Sequence, residues 1–139
     1  MNKEKAYSEA EIAELEFELR KILFSLGITS NERSFACLTI ATLAVIQDPS
    51  LMSARTKCLY PLVAEKLSAI INKPQTGSAV ERVISRTVDR VWAENKLKDI
   101  KRAFGLSSWH RLDKPRSGKF IEHLVDILLY NQIIKEMRQ

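Results

Sequence analysis

Apolar residues recur at three- and four-residue intervals along almost the whole chain, the period of helices with one buried face. No stretch alternates apolar and polar for long, and no Asn-Gly or Asp-Gly hairpin signal occurs. A first helix is predicted from Ser8 to Leu26. Ser8 and Glu11 have capping-box spacing, and Ile12, Leu15, Leu19, Ile22, Leu23 and Leu26 form one apolar stripe that Gly27 ends. A second helix is predicted from Thr29, with Glu32 three residues on, to Gln47. Phe35, Leu38, Ala41, Thr42, Val45 and Ile46 share its inner face, with Cys37 packed beside them as a small hydrophobe. Asp48-Pro49-Ser50 breaks this helix and caps a short third one.

The segment Thr56 to Ala69 reads as another helix, with Leu59, Leu62, Val63, Leu67 and Ile70 on its buried side. Pro61 belongs near its first turn, where a missing N–H is tolerated. After the turn Asn72 to Gly77 comes a strongly periodic helix from Ser78 to Glu94. A shorter helix, Leu97 to Phe104, ends at Gly105, and 106–118 is a loop. The last helix runs from Ser117 to Met137, with Phe120, Ile121, Leu124, Val125, Leu128, Ile133 and Ile134 on a wide apolar face. The fold class is therefore all-α, a six- or seven-helix bundle forming one domain over 1–139.

Composition agrees with a globular domain: 139 residues, 45% hydrophobic and 28% charged. The start, MNKEKAYSEAEIAELE, has no apolar h-region, so no secretory signal is expected. The longest apolar stretch, Ile40 to Ile46, is far short of the roughly 20 residues of a membrane span, so no membrane partner is expected. Two cysteines, Cys37 and Cys58, make no disulfide framework, and a cytoplasmic setting is the simpler one.

The net charge of +5 is unevenly spread. Residues 1–20 sum to −3, whereas residues 73–119, with 12 basic and 5 acidic side chains, sum to +7. Two readings stand at this point: solvated helix faces, or a nucleic-acid surface. Placed on a wheel, residues 78–93 put Val80, Val83, Ile84, Val88 and Val91 on one side, with Thr87 among them and Trp92 at the margin. Arg82 points opposite, flanked by Ser78, Ser85, Arg86 and Asp89. Such a helix suits the second helix of a helix-turn-helix, whose N-terminal residues reach base edges in the major groove. It is equally an ordinary amphipathic helix with solvated arginines.

Three segments in order, TKCLYPLVAEKL (Thr56 to Leu67), SAVERVISRTVDRVW (Ser78 to Trp92) and KPRSGKFI (Lys114 to Ile121), bear on that choice. They resemble the C-terminal DNA-binding effector domain of the stage-zero sporulation response regulator of endospore-forming bacteria, over about residues 22–129. In that family a T-K-x-L-Y-P helix precedes a T-x-S-x-V-E-R-x-I-R recognition helix that ends in Trp. The resemblance implies an all-helical domain, here 28–139 behind the acidic helix 1–27, with a helix-turn-helix that binds a short promoter box. Domains of this family can sit in tandem on adjacent boxes. The matched recognition-helix residues are Ser78, Glu81, Arg82 and Ile84, and Lys114 and Pro115 match the late loop. Ala79 and Ser85 stand where the family has Arg, and Arg86 where it has His. Arg116, Ser117 and Lys119 alter the late loop, and the turn between the two helices is several residues longer than in the family. The family's full-length members also carry a receiver domain, for which this chain has no room, so control by aspartyl phosphorylation within it is not expected.

The expected function is a sequence-specific, double-stranded DNA-binding transcription regulator. Ser78, Arg82, Ser85 and Arg86 are the expected base contacts, and Lys73, Lys114, Arg116 and Lys119 the expected phosphate contacts. The alternative is a protein-interaction module that binds or modulates another regulator. No enzyme, metal, cofactor or small-molecule substrate is expected: His110 and His123 lie in different elements, and no C-x-x-C, H-E-x-x-H or glycine-rich phosphate loop occurs. Trp109 is assigned to anchoring its loop, and Lys96, Lys98, Lys101 and Arg102 to solvent or phosphate. The stripe of the first helix either completes the core or makes a seam, in a homodimer or in a heterodimer with a related regulator.

Overall fold

A computed structural model describes residues 6–94 and 114–138. Five α-helices are present among the described residues, and no strand: α1 (Glu9–Ser25), α2 (Arg33–Gln47), α3 (Tyr60–Ile71), α4 (Gly77–Ala93) and α5 (Ser117–Met137). That is fewer than the six or seven expected. The short third helix is a 3-10 turn, Pro49–Ala54, because Asp48 caps Ser50 through its side chain and Pro49 removes a donor. The helix expected over 97–104 lies outside the described residues, as do His110, Trp109 and the lysines and arginine around it. The helix expected from Thr56 begins instead at Tyr60, behind a π-helical turn, Arg55–Leu59. Pro61 explains the widened turn: it has no N–H for the carbonyl four residues back, and its ring crowds that carbonyl.

The first helix starts as its spacing predicts. The Ser8 hydroxyl accepts from the Glu11 N–H (3.1 Å), and the Glu11 carboxylate accepts from the Ser8 N–H (2.9 Å). It ends in a Schellman turn: the Ile28 N–H donates to the Leu23 carbonyl and the Gly27 N–H to the Phe24 carbonyl, both at 2.9 Å. Gly27 lies at φ 81°. A Cβ there would meet nothing closer than a Glu94 carboxylate oxygen at 4.0 Å, so only the backbone conformation penalises a side chain. Gly27→Ala should cost about 1–2 kcal/mol in urea unfolding; no change in the midpoint would contradict this reading of the turn.

Helix α2 is the hub: α1, α3, α4 and α5 all pack on it. Phe35, Leu38, Ala41, Thr42, Val45 and Ile46 are buried as expected, with Cys37 among them. Burial pushes the Cys37 thiol up to about 11, so it stays protonated at neutral pH. The helix starts at Arg33, four residues later than Thr29. The Glu32 carboxylate accepts from the Thr29 N–H (2.7 Å) and hydroxyl (2.9 Å), closing a separate turn in front of the helix. Those bonds to Thr29, with the Arg90 guanidinium, hold the Glu32 carboxyl below its ordinary range.

The stripe of α1 is spent inside this one chain: Leu15, Leu19, Ile22, Leu23 and Leu26 are all buried against the core. Val63 and Leu67 of α3 and Phe120, Ile121, Leu124, Val125 and Leu128 of α5 join them. Four expected residues do not: Leu62 and Ile134 are half-buried outside that core, and two more are exposed. Ile70 is 67% exposed and Ile133 is 54% exposed, because each sits near a helix end that no neighbour covers. Among the described residues no helix is long and apolar enough to cross a membrane.

Candidate nucleic-acid interface

Helix α4 is built to present one face. Val80, Ile84, Val88 and Val91 are buried, Thr87 is buried with its hydroxyl donating to the Val83 carbonyl (2.8 Å), and Trp92 packs half-buried at the edge. The opposite face, carrying Ser78, Glu81, Arg82, Ser85, Arg86, Asp89 and Arg90, is exposed. The Thr76 side chain caps the helix by accepting from the Ala79 N–H at 3.1 Å.

Its position is set at both ends. Helix α3 closes on Asn72, a left-handed residue at φ 53°, and the chain turns back along α3. The Ser68 hydroxyl accepts from the Gln75 N–H (2.9 Å) while donating to the Ala64 carbonyl (2.7 Å). Gly77 then passes so close to the start of α3 that a Cβ would stand 3.3 Å from the Pro61 nitrogen. The inter-helix turn is thus Asn72 to Thr76, shorter than the stretch that sequence spacing leaves unassigned, because α3 continues to Ile71. At the other end, the Arg90 guanidinium donates to the Glu32 carboxylate at 2.9 Å.

Facing α4 is the segment that leads into α5. Together they form an open cleft of about 660 Å³, lined by Ser78, Arg82, Ser85 and Arg86 on one wall and by Lys114, Pro115, Arg116 and Ser117 on the other. Six of the eight residues expected to touch nucleic acid therefore meet in one place. Lys73, in the inter-helix turn, and Lys119, in the first turn of α5, do not line it. Arg82, Arg86 and Arg116 make no ion pair among the described residues. Lys114 pairs with Asp89 at 2.5 Å, and Lys119 with Glu122 at 3.0 Å. Arginines, small hydroxyls and a helix N-terminus are the groups that make phosphate and base-edge contacts.

The sequence profile of the family described as Sporulation initiation factor Spo0A C terminal matches residues 19–128. The chain belongs to that family. That family comprises the C-terminal DNA-binding domains of sporulation regulators, a regulatory rather than an enzyme family. The match to this Spo0A C-terminal family takes in both walls of the cleft and all of α2, α3 and α4. Most of α1 precedes it and the end of α5 follows it.

Three further residues at or near the cleft were not among the expected contacts. The Asp89 carboxylate lies in the cleft as the partner of Lys114, and Glu81 lines it as well. Arg55, in the π-helical turn, lies against Gly118 in the first turn of α5, so close that a Cβ there would collide with its guanidinium. Its Nη1 donates to the Met52 carbonyl at 3.0 Å. Helical arithmetic does place Asp89 on the face of Arg82 and Arg86, seven and three residues on. Arg55 has no such signal, since its neighbour is distant in sequence.

Proposed function

We propose that the chain is a sequence-specific, double-stranded DNA-binding transcription regulator of the cytoplasm, with α4 as its recognition helix. The observation that carries this reading is the cleft itself. An outward row of Ser78, Arg82, Ser85 and Arg86 on one helix faces Arg116 and Lys114 across an open groove. Ser78, Arg82, Ser85 and Arg86 read base edges. Arg116 and Lys114 hold the backbone beside them, and Lys73 and Lys119 reach phosphates further out. Helix α3, which braces α4 through Pro61 and Ser68, keeps the reading helix at a fixed angle. Selection from a random duplex pool at moderate salt should enrich one short motif. Recovery of an unenriched pool would overturn the reading.

The free state of each cation sorts the phosphate contacts. Arg116 has no ion-pair partner among the described residues, so Arg116→Ala should weaken binding to every duplex and flatten the slope of log K against log salt by about 0.9. An unchanged slope would remove Arg116 from the interface.

The alternative, a module that docks on another regulator through α1, has less to work with. The stripe of α1 is buried in the core, and its exposed aromatics are Phe17 and Phe24. Phe24 already stacks near Phe35, with ring centroids 6.0 Å apart, and Lys21 covers the Phe17 ring at 5.1 Å.

A further inference from the structure

The cleft holds two charges of the wrong sign for a phosphate surface, Glu81 and Asp89, and among the described residues only Asp89 pairs with a cation across it. Asp89 shares the exposed face of α4 with Arg82 and Arg86, and its Oδ1 accepts from the Lys114 ammonium at 2.5 Å across the groove. Arg86, three residues earlier and within helical reach, forms no ion pair among the described residues, and Asp89 engages Lys114 instead. Both partners are about half exposed, at 47% and 54%. An exposed pair of this kind is weakly held, and a competing anion can take the cation.

We propose that Asp89 is an internal competitor for Lys114, standing where a DNA phosphate would stand and lowering the affinity for duplexes of every sequence alike. This inference rests on the DNA-binding reading above and adds a control on overall affinity to it. In the free chain Lys114 is neutralised. On DNA it must leave Asp89, which then faces the phosphates unpaired. Lys114 therefore delivers only part of the counterion release that a free lysine would give. Since Asp89 acts on a backbone contact, it changes affinity without changing sequence preference.

The test measures salt-dependent binding of the native chain, Asp89→Asn, Lys114→Ala and the double variant. Each is measured on a selected site and on an unrelated duplex. Asp89→Asn should tighten both by the same factor, roughly threefold to tenfold at low salt, and steepen the log–log slope by up to about 0.9. In the Lys114→Ala background the same substitution should leave the slope unchanged. Thermal unfolding serves as the folding control, since loss of an exposed pair should barely shift it. An unaltered slope for Asp89→Asn in the otherwise native chain overturns the proposal. So does an equal change in both backgrounds, which would make Asp89 a general repulsive charge. Either result leaves the DNA-binding reading standing. A native chain that binds neither duplex overturns both.

Discussion

Arg82→Ala should reduce the preference for the selected DNA site over unrelated duplex by about 1–3 kcal/mol, roughly five- to 150-fold. The expectation follows from how the side chain is held. Ile84 and Val80 beside it are buried, which fixes the rotation of α4 about its axis and leaves Arg82 exposed on the opposite face. No carboxylate among the described residues pairs with it, so its planar fork of donors is free for the O6 and N7 of a guanine. The decisive measurement is the ratio of affinities, taken at one salt concentration for both duplexes. A variant that weakens both equally has lost a phosphate contact, and Arg82 would then belong with Arg116. A variant with unchanged affinities would move recognition off this helix.

Phe120→Ala should cost about 3–5 kcal/mol of unfolding free energy, a large part of the 5–15 kcal/mol typical of a domain. Phe120 is the bulkiest of the fully buried side chains, at 0% exposure. It sits in the first turn of α5, four residues after Arg116, and its N–H donates to the Arg116 carbonyl at 2.9 Å. The ring therefore anchors the wall that carries Lys114 and Arg116 as well as filling the core. Urea unfolding gives the magnitude, and a loss below about 1 kcal/mol would mean that α5 packs differently. In DNA binding, the folded fraction of this variant should lose affinity for all sequences together, in contrast to Arg82→Ala.

Helical periodicity was enough to read the all-α class, the stripe of α1, the inner face of α2 and the two faces of α4, because each depends only on neighbours three and four residues apart. It failed where a neighbouring element decides. Ile70 and Ile133 continue an apolar period beyond the point where another helix covers it, so the pattern runs on while the core stops. The Thr29 and Glu32 spacing is that of a helix start, yet the bonds it makes close a turn ahead of α2. The Asp48-Pro49-Ser50 signal opens a 3-10 turn instead of a regular third helix, and Pro61 delays the start of α3 behind a π-helical turn.

The cleft was legible in parts only. Wheel geometry puts Ser78, Arg82, Ser85 and Arg86 on one face, but nothing local says that Lys114 lies opposite Asp89, 25 residues away. The resemblance of the late KPRSGKFI segment to a sporulation-regulator loop pointed to that wall. The structure supplied its charge partner, and with it the distinction between a cation that is free and one that is already engaged.

Helix α4 is pinned at its start by the close pass of Gly77 over Pro61 and near its end by the Arg90–Glu32 bridge, which joins residues 58 apart in sequence. Between those two anchors the outward row has little freedom to rotate or slide. The ordering cost of this face therefore falls during folding rather than during association. Whatever docks there meets a template already in its final shape, and the complex forms by fit instead of by remodelling the helix.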